Sequence, residues 1–80
     1  MVKIKIVLYA TLAKYHPQGE GTKEFELEVA KNTTLEELLN ILKVPQEESK
    51  QIFVNNLRRE LDYRLQDGER AAIFPPIAGG

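Results

Sequence analysis

From Val2 the chain alternates, with Val2, Ile4, Ile6 and Leu8 on one side of an extended segment and Lys3 and Lys5 on the other. This predicts a first strand. At Val7 and Tyr9 the second side turns apolar as well, so that end of the strand is either covered by chain or open to a partner, and we assign Val7 and Tyr9 to a partner surface. Ala10 to Gly21 contains Pro17, Gly19 and Gly21 and has no period, which reads as a long connection. Phe25, Leu27 and Val29 then alternate with Glu24, Glu26 and Glu28, a second strand whose acidic side can face the lysines of the first across a hairpin.

The period changes at Lys31. Thr33 with Glu36, or Thr34 with Glu37, has the capping-box spacing, and Leu35, Leu38, Leu39 and Leu42 stand at i, i+3, i+4 and i+7. A helix of about two to three turns is expected, with one leucine stripe and a stop at Val44-Pro45. Pro45 to Lys50 is polar, with room for a short helical turn, and Ile52-Phe53-Val54 reads as a buried strand that Asn55-Asn56 turns back. Leu57 to Leu65 is irregular and charged, with a short strand expected around Glu60 to Asp62, and Leu65 to Gly68 makes another turn. Ala71 to Phe74 is the last strand, ended by Pro75. One striped helix covers only one face of a small sheet, so the order predicts an α+β roll with four to five strands, the last pairing parallel to the first after the helix has crossed over. The folded domain is expected over residues 1–74 and an extended tail over 75–80.

Composition narrows the chemistry. Eighty residues, 42 % hydrophobic, supply one core and not two. There is no cysteine, so disulfides, thiolate metal sites and a cysteine carrier are excluded, and the single histidine, His16, makes a poor start for a zinc site. A formal charge of −1 provides no broad attraction for nucleic acid or anionic membrane, and neither a signal peptide nor a membrane span is expected, which points to the cytoplasm. Glu36-Glu37 and Glu47-Glu48 fit a helix start and a solvated loop better than a catalytic carboxylate pair, and Gly19-Glu20-Gly21 lacks the third glycine of a nucleotide loop.

The end of the chain carries the candidate chemistry. Pro75-Pro76 favours a stiff extended lead, and the four residues Ile77, Ala78, Gly79 and Gly80 reach about 13 Å when extended, enough to enter a narrow channel in another protein. Without Cβ atoms, Gly79 can pass a constriction and the terminal carbonyl carbon of Gly80 stays open to attack. Phe74 stands where the tail begins, as an end-of-strand core residue or as a partner anchor alongside Pro75 and Pro76.

The segment Asp67-Gly68-Glu69-Arg70-Ala71-Ala72-Ile73-Phe74-Pro75-Pro76-Ile77-Ala78-Gly79-Gly80 resembles the C-terminal signature of the small subunit of molybdopterin synthase, and the Phe53-Val54-Asn55 stretch and the helix start resemble that family too. Where the family often has Gly after the Val-Asn pair, this chain has Asn56. The resemblance implies a ubiquitin-like β-grasp fold and a sulfur carrier with no active site and no bound cofactor of its own. It also implies partners: an ATP-using enzyme that adenylates Gly80, a sulfurtransferase or other persulfide donor that converts it to a thiocarboxylate, and a larger synthase subunit in which the sulfur passes to a pterin precursor. Rival functions are a protein modifier joined through Gly80 to lysines, a sulfur carrier of another pathway such as thiamine thiazole synthesis, and a β-grasp docking module that uses only its sheet. An acyl carrier is disfavoured, since the one serine, Ser49, sits in no carrier motif.

Overall fold

The computed structural model describes residues 1–16, 24–49 and 51–76. Five strands form one sheet: β1 (Val2–Leu8), β2 (Phe25–Val29), β3 (Gln51–Val54), β4 (Leu57–Arg58) and β5 (Arg70–Phe74), in the order β2-β1-β5-β3-β4. The hairpin β1–β2 sets Lys3 opposite Glu28 and Lys5 opposite Glu26, the charge pairing their alternation predicts. β5 lies parallel to β1, with Ile6 beside Ala71 and Leu8 beside Ile73, and β3 runs antiparallel to β5 on its other side. A parallel neighbour of the first strand requires a crossover, which the α-helix α1 (Leu35–Leu42) provides.

All four stripe leucines of α1 are buried, and they meet Ile4, Ile6, Leu8, Ile52, Val54, Ala71 and Ile73 from the sheet in one core. The capping box is the Thr34–Glu37 alternative: the Glu37 backbone N–H donates to Thr34 Oγ1 at 3.2 Å, and the Thr34 N–H donates to Glu37 Oε1 at 2.9 Å. The preceding helical donors are met by a distant segment, Leu35 N–H by the Tyr63 carbonyl and Glu36 N–H by the Leu61 carbonyl, both at 3.0 Å. The irregular stretch after β4 therefore has a structural job, closing the first turn of the helix whose N–H groups have no partner within it. Tyr63 secures that stretch by donating its hydroxyl to Glu69, a bond that pushes the phenol above its usual range. The helix ends at Lys43, which takes a left-handed conformation (φ 62°), so the stop falls just before the expected Val44-Pro45.

Three details depart from the sequence reading. The connection after β1 contains a 3-10 helix, Ala10–Tyr15, with Leu12 buried in the core; the rest of that connection, Pro17, Gly19 and Gly21 included, lies outside the described residues. The weak strand is β4, at Leu57–Arg58, and not at Glu60 to Asp62, where the chain turns. Asn55 and Asn56 both have positive φ (52° and 71°), the geometry of a two-residue hairpin turn, so pairing resumes at once and is spent before Glu60. Third, Phe53 is not a core residue: it alternates with buried Ile52 and Val54 and points to the face away from α1.

Two substitutions test this account by urea denaturation. Leu38→Ala, which empties a fully buried site beneath the helix, is expected to cost about 3 kcal/mol. Thr34→Ala, which removes the cap but no core atom, is expected to cost about 1 kcal/mol.

Candidate functional site

The sheet face opposite α1 is divided in two. Around β2 and the start of β1 it is charged, with Glu28 and Glu26 in register with Lys3 and Lys5. Towards the end of β5 it is apolar. Val7 lies beside Ala72 and Ala72 opposite Phe53, so alternation puts these three on the same side in a row across three strands. Val7 and Ala72 are only 4 % and 6 % exposed although they stand outside the helix-side core, and large side chains line a groove together with Ala72.

Those large side chains are aromatic. Tyr9 and Phe74 stack with ring centroids 4.4 Å apart and planes within 3°, and Phe53 meets Phe74 edge-on at 5.6 Å. Tyr9 is brought to this position by its N–H, which donates to the Ile73 carbonyl, and by Ala10, whose positive φ (53°) bends the chain immediately after it. Tyr9, Phe53, Asn56, Arg70, Ala72 and Phe74 line a groove of about 290 Å³. At its rim the Arg70 guanidinium forms an ion pair with Glu24, and hydrogen bonding to Glu24 and then to Tyr9 raises its already high pKa further. Asn55 fixes the start of β5 from the hairpin turn, its side-chain oxygen accepting from the Arg70 N–H at 3.0 Å.

The sequence-assigned residues Val7, Tyr9 and Phe74 come together on this face, and Phe74 belongs to it and not to the core. Pro75 is half-buried and Pro76 exposed directly after β5. Ile77, Ala78, Gly79 and Gly80 lie outside the described residues. Phe53, Ala72, Asn56, Arg70 and Glu24 are members of the face that sequence reasoning missed. Alternation held the signal: if Ile52, Val54, Ala71 and Ile73 face a helix, then Phe53, Arg70, Ala72 and Phe74 face away from it.

His16 packs edge-on against Phe25 at 4.6 Å. Among the described residues no three His, Asp or Glu side chains converge as metal ligands, and no helix is long and apolar enough to cross a membrane.

Comparison with known proteins agrees with this geometry. No curated protein matches the sequence. Among solved structures, the chain is similar to a protein described as molybdopterin converting factor, subunit 1, from Pyrococcus furiosus (22 % identity, 96 % of this chain and 100 % of that one, TM-score 0.70). It is similar also to small archaeal modifier protein 1 from Methanosarcina acetivorans (23 % identity, 100 % and 98 %, TM-score 0.69). A third likeness is to the complex of subunits 1 and 2 of molybdopterin-converting factor from Helicobacter pylori (19 % identity, 99 % and 100 %, TM-score 0.60). At these identities the likeness is one of fold, the ubiquitin-like β-grasp. The ThiS family matches residues 7–80, nearly the whole chain and its Gly-Gly end included, and the protein belongs to this family of ubiquitin-fold sulfur carriers.

Proposed function

We propose that this protein carries sulfur as a thiocarboxylate on Gly80 and delivers it for dithiolene formation in molybdopterin. The observation that carries the reading is the end of β5: Phe74 is anchored in the aromatic face, Pro75 and Pro76 follow without strand pairing, and the remaining sequence is Ile-Ala-Gly-Gly. A partner that grips this face is placed next to the origin of a tail with a reach of about 13 Å.

A carboxylate is a poor acyl donor because attack must expel an oxide. Adenylation by an ATP-using partner makes AMP the leaving group and releases pyrophosphate. A persulfide sulfur on the donor then attacks the Gly80 carbonyl, AMP departs, and a second thiol cleaves the acyl disulfide reductively, leaving the thiocarboxylate. This chain contributes the acyl group and its orientation, while acids, bases and the nucleotide site belong to partners. Within the larger synthase subunit, the ionised thiocarboxylate is the nucleophile towards the pterin precursor. The likenesses to molybdopterin converting factor subunit 1, including one in complex with subunit 2, support that pairing.

The likeness to small archaeal modifier protein 1 supports a second reading. The same adenylate, attacked by a lysine amine in place of sulfur, yields an isopeptide bond.

Intact-mass measurement after incubation with the activating enzyme, ATP and a persulfide donor is expected to show a fraction heavier by one sulfur-for-oxygen exchange at the terminus. Unchanged mass overturns the carrier reading, and a Gly-Gly remnant on target lysines without any thiocarboxylate assigns the chain to the modifier reading. A variant with one uncleaved alanine after Gly80 is expected to lose the modification entirely while melting like the parent, because the reacting carbonyl is displaced from the site that activates it.

A further inference from the structure

The charges on the open face are unevenly shared. The carboxylates of Glu26 and Glu28 stand opposite Lys5 and Lys3 on the β2 side. The outward positions of β1, β5, β3 and β4, by contrast, are Lys3, Lys5, Val7, Arg70, Ala72, Phe74, Gln51, Phe53 and Arg58, and none is acidic. Arg70 lines the aromatic groove, and a second arginine, Arg58, is paired in register with Phe53, which lines it too. Its acidic contact is imported: Glu24, from just before β2, reaches Arg70 across the sheet.

That ion pair is well placed to be exchanged. The side chains of Arg70 and Glu24 are 41 % and 38 % exposed, and ion pairs so open to water add little to stability. A guanidinium has five N–H donors in a planar fork; Glu24 is met through Nε and Tyr9 is hydrogen-bonded to the same group, so an incoming carboxylate competes with these side chains for it. The groove itself combines an apolar floor with a cationic rim, the complement of an apolar side chain beside an acidic one.

We propose that the groove formed by Tyr9, Phe53, Ala72 and Phe74 receives an apolar side chain from a partner protein, and that a carboxylate adjacent to it on the partner takes Arg70 over from Glu24. Arg70 then acts as a specificity determinant that admits acidic partners, and Glu24 occupies it in the free protein. The assignment rests on the carrier reading above, since it describes how that carrier's partners recognise it.

The test is calorimetric titration of the full chain, at low salt, with the activating enzyme and with the larger synthase subunit from the same host. For at least one of them, Arg70→Gln is expected to weaken binding about tenfold, Arg70→Lys to keep part of the affinity, and Glu24→Gln to tighten binding about threefold by removing the internal competitor. Opposite signs for Arg70→Gln and Glu24→Gln are the signature, because a pair that only holds the fold together would lose the same contact in both variants. Equal weakening, or no change in either, overturns the proposal while leaving the carrier chemistry intact. A concentration-dependent dimer of the chain alone that Arg70→Gln abolishes also overturns it, by assigning the groove to a second copy. Failure of the parent chain to bind either protein overturns it too, whereas failure of the carrier reading itself is read separately, from the absence of a thiocarboxylate.

Discussion

The parallel pairing of β5 with β1 at the centre of the sheet is the constraint from which the rest of the molecule follows. It forces the chain to cross from one side of the sheet to the other, and α1 makes that crossing with its leucine stripe pressed on one face. The same register, Val7 beside Ala72 and Leu8 beside Ile73, decides what the other face displays. Because side chains alternate, every residue that β1 and β5 send to the helix leaves its neighbour on the open side. The core and the aromatic groove are therefore two consequences of one alignment, and a slip by one residue would exchange them.

That coupling explains which parts of the molecule could be read from the chain. The strand alternation and the capped leucine helix are local patterns, the parallel return strand follows from the order of the elements, and the structure has all of them. What was hidden depended on distance. Thr33 and Thr34 offer equivalent caps in sequence, and the choice of Thr34 accompanies contacts from Tyr63 and Leu61, nearly thirty residues away in the chain. The misplaced strand near Glu60 has a similar cause, since that segment is occupied in closing the helix end and has no sheet neighbour. Asn56 shows the opposite case: it stands where the resembled family often has Gly, and its positive φ shows asparagine meeting the same backbone demand.

On the candidate site, the residues that announce chemistry and those that shape recognition differ in legibility for a physical reason. The Phe-Pro-Pro and Gly-Gly residues that the proposed chemistry uses stand in one contiguous run of the sequence. The groove draws Tyr9 from the end of one strand, Phe53 from a second, and Arg70, Ala72 and Phe74 from a third, so it exists only once the register is known. Arg70 paired with Glu24 is the extreme instance, two exposed charges separated by most of the domain's sequence, with nothing in either segment to mark the other.

This division suits a carrier. In the carrier reading proposed above, the acyl end has to pass into the active sites of successive partners, so its own residues are best kept small and chemically plain. Discrimination between partners then has to reside elsewhere, on a surface rigid enough to hold its shape while the tail is elsewhere engaged. A sheet face pinned from behind by a helix meets that need, because its side chains are positioned by backbone pairing and not by loops. Aromatic stacking of Tyr9 on Phe74 also ties that face directly to the last residue of β5, after which Pro75 and Pro76 follow unpaired. The aromatic groove and the end of β5 are thereby adjacent in the fold, and the groove's lining residues are distinct from the Gly80 carboxyl on which the proposed chemistry is placed.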